Sequence, residues 1–282
     1  MVWFYLAIAS TVTFAAQELL MRMLSIKTGN PRIFSTVFNL WGSAFAILVF
    51  LLQKGSLLEL FHLSFWQYLL IAMSIVCYGL YERFQFSARS GMDAATFAIV
   101  MRLQTVIAFM GAMVFLHEPF TLVKTAGVLL VVSASFLLVY KNPSFRYTPA
   151  FGYAILCSVL LGSTGFIDKP ASAPLHASLY SFLMWVVPLA IIVYPGISAQ
   201  ELRKEFRIGG WKVALAALLN VVGYIIYIQA ISFAEASRIN PIVATNSVLT
   251  VLGGIFLLHE RDHFWRKILA GFIAFAGVAL LR

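Results

Sequence analysis

Two histidines near the end of the chain have a spacing that could hold a metal ion. The segment His259-Glu260-Arg261-Asp262-His263 reads His-Glu-x-x-His. On a helix this spacing places both imidazoles on one face, where they can bind zinc with the glutamate as general base. A catalytic zinc needs a further protein ligand, and none is evident nearby. The segment therefore suggests a zinc metalloprotease only as a remote alternative.

The same His-Glu pair belongs to an internal repeat. Leu116-His117-Glu118 returns as Leu258-His259-Glu260. Three further positions have counterparts at the same offset, namely Gly111 with Gly253, Gln104 with Asn246, and Asp93 with Glu235. The first copy has no second histidine after Glu118, so the repeat explains the pair, and we expect neither a metal site nor an enzyme.

Ionisable side chains inside apolar segments are energetically costly and are candidates for function. Arg102 lies deepest in such a segment, where it would recognise an anion or carboxylate; the alternative is an ion pair with Glu18 or Asp168. Glu18 and Asp168 are candidates for a carboxylate that couples the binding of a proton to the movement of a solute. Glu18 is also explained by a local helix pair with Arg22, and Asp168, just before Pro170, also reads as a helix end. The preceding small residues, 162–165, allow close helix approach or leave room for a ligand.

Neutral polar residues that the repeat matches form a second group of candidates. Gln104 corresponds to Asn246, and the tyrosines form two pairs at i, i+3 spacing, Tyr78 with Tyr81 and Tyr224 with Tyr227. Transporters built from inverted repeats bind substrate at the interface between the repeats. We therefore predict that these six residues line a substrate cavity. The alternative is that the amides bond between helices and the tyrosines form interfacial belts.

The composition places the chain in a membrane. Of its 282 residues 61% are hydrophobic and 11% are charged, against roughly 45–50% and about 25% in soluble domains. The net charge of +9 fits basic loops at a membrane face and needs no nucleic acid partner. Cys77 and Cys157 lie in separate apolar segments and predict neither a disulfide nor a metal site. No cofactor is expected.

Apolar segments of membrane-spanning length follow one another along the whole chain. A bilayer core needs about 20 helical residues, and ten such segments occur near residues 2–22, 32–52, 66–87, 94–115, 121–140, 149–167, 176–195, 211–233, 236–258 and 264–281. They are too long for barrel strands and lack alternating polarity. Asn240-Pro241 predicts a kink or break in span 9, and the charged stretch 200–207 is either a short interfacial helix or a solvated loop.

A polar connection divides the ten spans into five and five. Residues 141–148 form this linker, between a first repeat at 1–140 and a second at 149–282. Phe38 and Trp41 correspond to Phe182 and Trp185 across it. Because each repeat has an odd number of spans, the second copy must enter the membrane from the opposite side. We therefore predict an all-α integral membrane protein with ten transmembrane helices in two inverted five-helix repeats.

The repeated segments resemble the EamA-like group of the drug/metabolite transporter superfamily. The resemblance is carried by residues 94–119, ending Leu-His-Glu-Pro, and by residues 236–261, ending Leu-His-Glu-Arg. It implies a multi-pass protein of the cell or inner membrane, monomeric or homodimeric. It also implies movement, most simply export, of small metabolites or drugs, amino acids or nucleoside-like solutes, by alternating access driven by an ion or substrate gradient.

Two questions stay open at this point. The Lys and Arg count of alternate loops places both termini outside the cell, whereas the family resemblance implies that both face the cytoplasm. The polar residues could also serve assembly alone, in which case the protein would be a lipid translocator or a non-transporting membrane subunit.

Overall fold

The computed structural model describes residues 2–24, 30–92, 97, 100–139, 148–257 and 264–282. Within these ranges the chain forms twelve α-helices and no strand. In chain order the helices are α1 Val2–Leu24, α2 Pro31–Leu52, α3 Phe65–Ser90, α4 Leu103–Phe115, α5 Leu122–Val139, α6 Pro149–Ser172, α7 Ala177–Val186, α8 Leu189–Val193, α9 Ala199–Phe233, α10 Ala236–Ala244, α11 Asn246–Leu257 and α12 Phe264–Leu281. A 3-10 helix, Leu57–His62, precedes α3.

Among the described residues, four helices are long and apolar enough to cross a membrane. They are α1, α2, α6 and α9, while α4, α5 and the pair α7 and α8 form shorter apolar segments. The all-helical membrane character predicted from composition is therefore confirmed. The count of ten spans, and their division into two inverted repeats at residues 141–148, stay predictions.

Local capping sets the starts of three of these helices. The side chains of Asn30 and Thr148 accept hydrogen bonds from backbone N–H groups two and three residues further on, and a proline follows each at the first helical position. Ser64 and Gln67 form a reciprocal capping box at the start of α3. Such caps satisfy N–H groups that have no partner within the helix.

Two predicted spans are broken helices. Predicted span 7 is divided between α7 and α8 at Val187 and Pro188. Predicted span 9 is divided between α10 and α11 at Thr245, four residues beyond Pro241, which lies inside α10. The stretch 200–207 is helical and is the first part of α9, which bends at Gly210, where φ is +53°. Glycine adopts this left-handed conformation without steric cost.

The predicted end of span 6 near residue 167 is wrong. Helix α6 continues through Asp168 and Pro170 to Ser172. Pro170 stands in the last turn, where it lacks the N–H that would bond to the carbonyl of Phe166, and the helix ends two residues later. Asp168 is consequently an interior helical residue rather than a terminal one.

The helices pack in a pattern that repeats along the chain. The pairing of α1 with α9 has a counterpart in the pairing of α3 with α6. In the same way, the pairing of α4 with α6 has a counterpart in the packing of α10 and α11 against α1. Helix α5 packs against α12. If the first five predicted spans are exchanged with the last five, these pairings are unchanged. A duplicated chain would produce this pattern.

Small residues bring α4 and α6 into close contact, as the sequence suggested. A Cβ added to Gly165 would stand 2.6 Å from the Cβ of Ala108, and one added to Gly111 would stand 2.1 Å from the ring of Phe166. The ends of the chain also meet, since the guanidinium of Arg282 lies 5.3 Å from the ring centre of Phe4.

Candidate functional site

A carboxylate in the interior of the helix bundle is surrounded by hydroxyl groups. Asp168 on α6 has no exposed surface. Its Oδ1 accepts hydrogen bonds from Ser74 at 2.9 Å and from Tyr180 at 2.8 Å. Its Oδ2 accepts from Tyr78 at 2.6 Å and from Tyr224 at 3.1 Å. We call this group, Asp168 with Ser74, Tyr78, Tyr180 and Tyr224, the hydroxyl cage.

Three helices besides α6 supply the donors of the hydroxyl cage. Ser74 and Tyr78 are four residues apart on α3, so they share one face of that helix. Tyr180 belongs to α7 and Tyr224 to α9. The ring of Tyr224 stands edge-on to that of Tyr78, with 5.7 Å between ring centres, and stacks on that of Tyr180 at 6.5 Å. The aromatic rings thus fix the positions from which the hydroxyls donate.

A second polar chain adjoins the hydroxyl cage. Tyr227, stacked on Tyr224 with 6.2 Å between ring centres, donates to Oδ1 of Asn240 at 2.7 Å. Asn240 in turn donates to the carbonyl of Gly165 on α6 at 2.6 Å. These bonds connect α9, α10 and α6 one turn from Asp168.

The hydroxyl cage allows Asp168 to change its protonation state without large rearrangement. A hydroxyl can donate or accept a hydrogen bond, whereas an ammonium or guanidinium group can only donate. A protonated Asp168 could therefore donate to one phenol oxygen after rotation of a single O–H group. A buried carboxylate stays charged only while it is well hydrogen-bonded, and the four donors satisfy that requirement. This arrangement can bind and release a proton or another small cation.

Three of the four predicted cavity tyrosines lie in the hydroxyl cage or beside it, and the fourth lies elsewhere. Tyr78 and Tyr224 bond to Asp168, and Tyr227 lies beside it. Tyr81 lies apart, in an apolar cluster with Phe97, Val100, Met101 and Cys157.

Arg102 lies at the break between α10 and α11. It is 8% exposed and donates to the carbonyl of Ala244 at 3.3 Å and to the hydroxyl of Ser247 at 3.1 Å. A cation is favourable at the C-terminal end of a helix such as α10. Glu18 is within electrostatic range of Arg102. The partners of Asp168 are the four hydroxyls, so the predicted pairing of Arg102 with Asp168 is not formed.

The remaining predicted residues are Gln104, Asn246 and Glu18. Oε1 of Gln104 is buried without a hydrogen-bond partner among the described residues. Asn246 opens α11, and its backbone carbonyl accepts from the hydroxyl of Thr250 at 2.8 Å. Thr250 also donates to Glu18 at 3.3 Å. Gln104, Asn246 and Glu18 therefore stay candidates for a role separate from the hydroxyl cage.

The first Leu-His-Glu segment ends one helix and caps another. His117 has a φ of +53° just after α4, a left-handed conformation often found after a helix C-terminus. Glu118 then accepts from the N–H groups of Ala236 and Ser237 at 2.8 and 2.9 Å, and from Lys169 at 2.9 Å. Burial raises the pKa of Glu118, but these donors outweigh it and the pKa lies below its ordinary value.

The predicted zinc motif lies outside the described residues. Residues 258–263 include both His259 and His263. Among the residues that the structure describes, no group of three or more His, Cys, Asp or Glu side chains is placed to hold a metal ion.

Sequence reasoning missed two members of the hydroxyl cage, Ser74 and Tyr180. Ser74 had a detectable signal, because it stands one helical turn before Tyr78. Tyr180 had none, since its role depends on the packing of α7 against α2 and α9. Pro170 predicts a helix end next to Asp168, whereas α6 continues to Ser172 and leaves Asp168 inside the helix.

Comparison with known proteins agrees with the fold. Residues 148–282 match the EamA-like transporter family. A protein from Sinorhizobium sp, named "Uncharacterized transporter in cobO 3'region", is 24% identical over 132 residues, 46% of this chain and 93% of its own. A solved crystal structure aligns with 99% of this chain and 95% of its own, with a TM-score of 0.75 and 15% identity, which shows a shared fold. The match over residues 148–282 agrees with the resemblance to EamA-like transporters that the sequence shows.

Proposed function

We propose that the protein moves small metabolites or drugs, such as amino acids or nucleoside-like solutes, across the membrane by alternating access. Asp168 is the carboxylate that couples this movement to an ion gradient, and the direction is export. The observation that carries the proposal is the convergence of four hydroxyls, from three helices, on one fully buried carboxylate.

The hydroxyl cage spans both predicted repeats. Ser74 and Tyr78 belong to the first repeat, whereas Asp168, Tyr180 and Tyr224 belong to the second. If one repeat rocks against the other, Asp168 loses donors from α3. Losing donors destabilises the charged form of a carboxylate. Conformation and proton occupancy are thereby linked, which is the requirement for coupled transport.

The break between α10 and α11 is the proposed substrate region. Broken helices near the interface of inverted repeats expose backbone groups that recognise solutes. Arg102 bonds at this break, Asn246 opens the helix that follows it, and Glu18 contacts that helix through Thr250. Gln104 follows Arg102 by two residues in the chain. The repeated packing pattern supports a duplicated chain, and its main pairs, α1 with α9, α3 with α6 and α5 with α12, each join the two predicted repeats.

Flux measurements in proteoliposomes test this function. Purified protein is reconstituted and supplied with a panel of tritiated amino acids, nucleosides and drugs, with and without an imposed pH gradient. We expect at least one solute to move, faster with the gradient, and Asp168→Asn to abolish the stimulation by the gradient. The matched control is Glu201→Gln, an exposed carboxylate on α9.

Two outcomes would contradict the proposal. If Asp168→Asn retains full stimulation by the gradient, Asp168 is not the coupling carboxylate. If no solute moves while fluorescent phospholipids exchange between leaflets, the protein is the lipid translocator that the sequence left as an alternative.

A further inference from the structure

Helix α10 lacks a side-chain cap of its own. Its N-cap residue, Glu235, makes no side-chain capping bond. The cap comes instead from Glu118, in the connection between α4 and α5, whose two carboxylate oxygens accept the N–H groups of Ala236 and Ser237. A carboxylate at a helix N-terminus is stabilised both by these hydrogen bonds and by the helix dipole. The start of α10 is therefore held by a residue of the other predicted repeat.

Ion pairs reinforce this junction on both sides. Lys169, next in sequence to Asp168, pairs with Glu118 at 2.9 Å. Lys124, only 2% exposed, pairs with Glu235, and Arg238 pairs with Glu235 at 2.7 Å. These polar contacts join the segment 118–124 to the start of α10 and the end of α6. Ion pairs can be exchanged for water more readily than interlocked apolar side chains, because water solvates charged groups well.

The rest of α10 is short and is also held by polar bonds. It has nine residues and ends at the Thr245 break. Its middle is fixed by Asn240, which bonds to Tyr227 and to the carbonyl of Gly165. Its last carbonyl, that of Ala244, accepts from Arg102. Ile239 and Ile242 of α10 are fully buried, so the helix also packs in the apolar core. A nine-residue helix that ends at a break can still move as one unit, carrying these side chains with it.

The position of α10 determines what such a pivot would expose. Asn240 and Tyr227 lie beside the hydroxyl cage, and Glu118 and Lys169 lie beyond them, towards the end of α6. We propose that α10 is a gate over Asp168, closed in this structure, and that the bonds from Glu118 to Ala236 and Ser237 are its latch. The gate deepens the transport function proposed above and rests on it.

Cysteine labelling tests the latch without requiring transport. Tyr227→Cys is made in a Cys77→Ser, Cys157→Ser background, and a membrane-impermeant methanethiosulfonate is applied from the side of the chain termini. Adding Glu118→Ala should raise the labelling rate about tenfold or more, because the loss of a charge-assisted hydrogen bond changes an equilibrium by about that factor.

The matched control is Glu59→Ala. Glu59 also accepts a backbone N–H, that of His176 at 2.7 Å just before α7, on the same side of the molecule. Its removal should leave the labelling rate unchanged. If Glu118→Ala and Glu59→Ala label at the same rate as the parent, Glu118 does not hold the gate closed.

A reversible cross-link provides a second test that does not depend on the reporter at position 227. Cysteines at positions 118 and 237 are joined by a short, reducible bifunctional methanethiosulfonate, with each single-cysteine protein as control. Solute flux should stop on cross-linking and return on reduction. Undiminished flux in the cross-linked protein would overturn the gate while leaving the transport function intact. Conversely, a parent protein that moves no solute in the flux assay would contradict the transport function, while the labelling contrast would stand.

Discussion

The hydroxyl of Tyr78 donates a 2.6 Å hydrogen bond to Oδ2 of Asp168 and so links α3 to α6. The two residues are separated by 90 positions in the chain and lie in different predicted repeats. Tyr224, the repeat counterpart of Tyr78, donates to the same oxygen. Two tyrosines that the predicted repeat relates therefore converge on one carboxylate.

Removing the hydroxyl of Tyr78 should lower the free energy of unfolding more than removing the hydroxyl of Tyr81. Tyr78→Phe deletes one donor to the buried Asp168, and a hydrogen bond to a charged group contributes about 1.5–3 kcal/mol. Thermal unfolding in detergent should show a lower Tm. Tyr81→Phe, three residues along the same helix, alters an apolar cluster away from Asp168 and should change Tm little. Equal losses in the two variants would show that the hydroxyl cage is not the source of the effect.

Two glycines on α6 should respond in opposite ways to the same substitution. At Gly165 a Cβ would stand 2.6 Å from the Cβ of Ala108, and such overpacking costs roughly 1–3 kcal/mol. At Gly152 a Cβ meets nothing within 4 Å, and alanine is favoured over glycine in a helix by roughly 0.5–1 kcal/mol. Gly165→Ala should therefore lower Tm and Gly152→Ala should raise it, both measured in the same detergent. Stabilisation by Gly165→Ala would mean that α4 and α6 do not cross closely.

Acid should destabilise the protein through the junction at α10. Burial raises the pKa of both Glu118 and Glu235, but hydrogen bonds and lysine or arginine partners outweigh it, so both pKa values lie below the ordinary 4.5. A carboxyl with a depressed folded-state pKa stabilises the fold above its unfolded pKa and loses that contribution as pH falls.

The corresponding measurement is Tm as a function of pH. Tm should be insensitive to these groups between pH 7 and pH 5 and should fall below about pH 4.5. Glu118→Gln should start from a lower Tm and fall less steeply. If Tm falls equally steeply with pH in the parent and in Glu118→Gln, Glu118 is not a source of the acid sensitivity.

Sequence patterns predicted the membrane character and part of the candidate site. Long apolar segments suffice to predict membrane helices, because only a helix satisfies its own backbone in lipid. The repeat directed attention to Tyr78 and Tyr224, which do meet at Asp168. It also selected Tyr81, which does not, since neighbours at i, i+3 can face different helices when the partners cross at an angle.

Other features depended on packing that no sequence period encodes. Tyr180 reaches Asp168 because α7 is a short helix that ends before Pro188, and nothing in its neighbourhood marks that contact. The break in span 9 lies at Thr245 rather than at Pro241, which is the sixth residue of the nine-residue α10 and does not end it. Arg102 bonds to the carbonyl of Ala244 at that break. The partner of Glu118 lies 118 residues away in the chain, so its capping role required the fold.

The contact between Arg282 and Phe4 has a consequence for topology. If α1 and α12 both cross the membrane as predicted, the contact places the start of α1 and the end of α12 at the same surface, with 5.3 Å between the guanidinium and the ring centre. A chain whose first and last helices end on the same side crosses an even number of times, so topologies with nine or eleven crossings are incompatible with it. One reporter fused to either end then assigns the compartment of both.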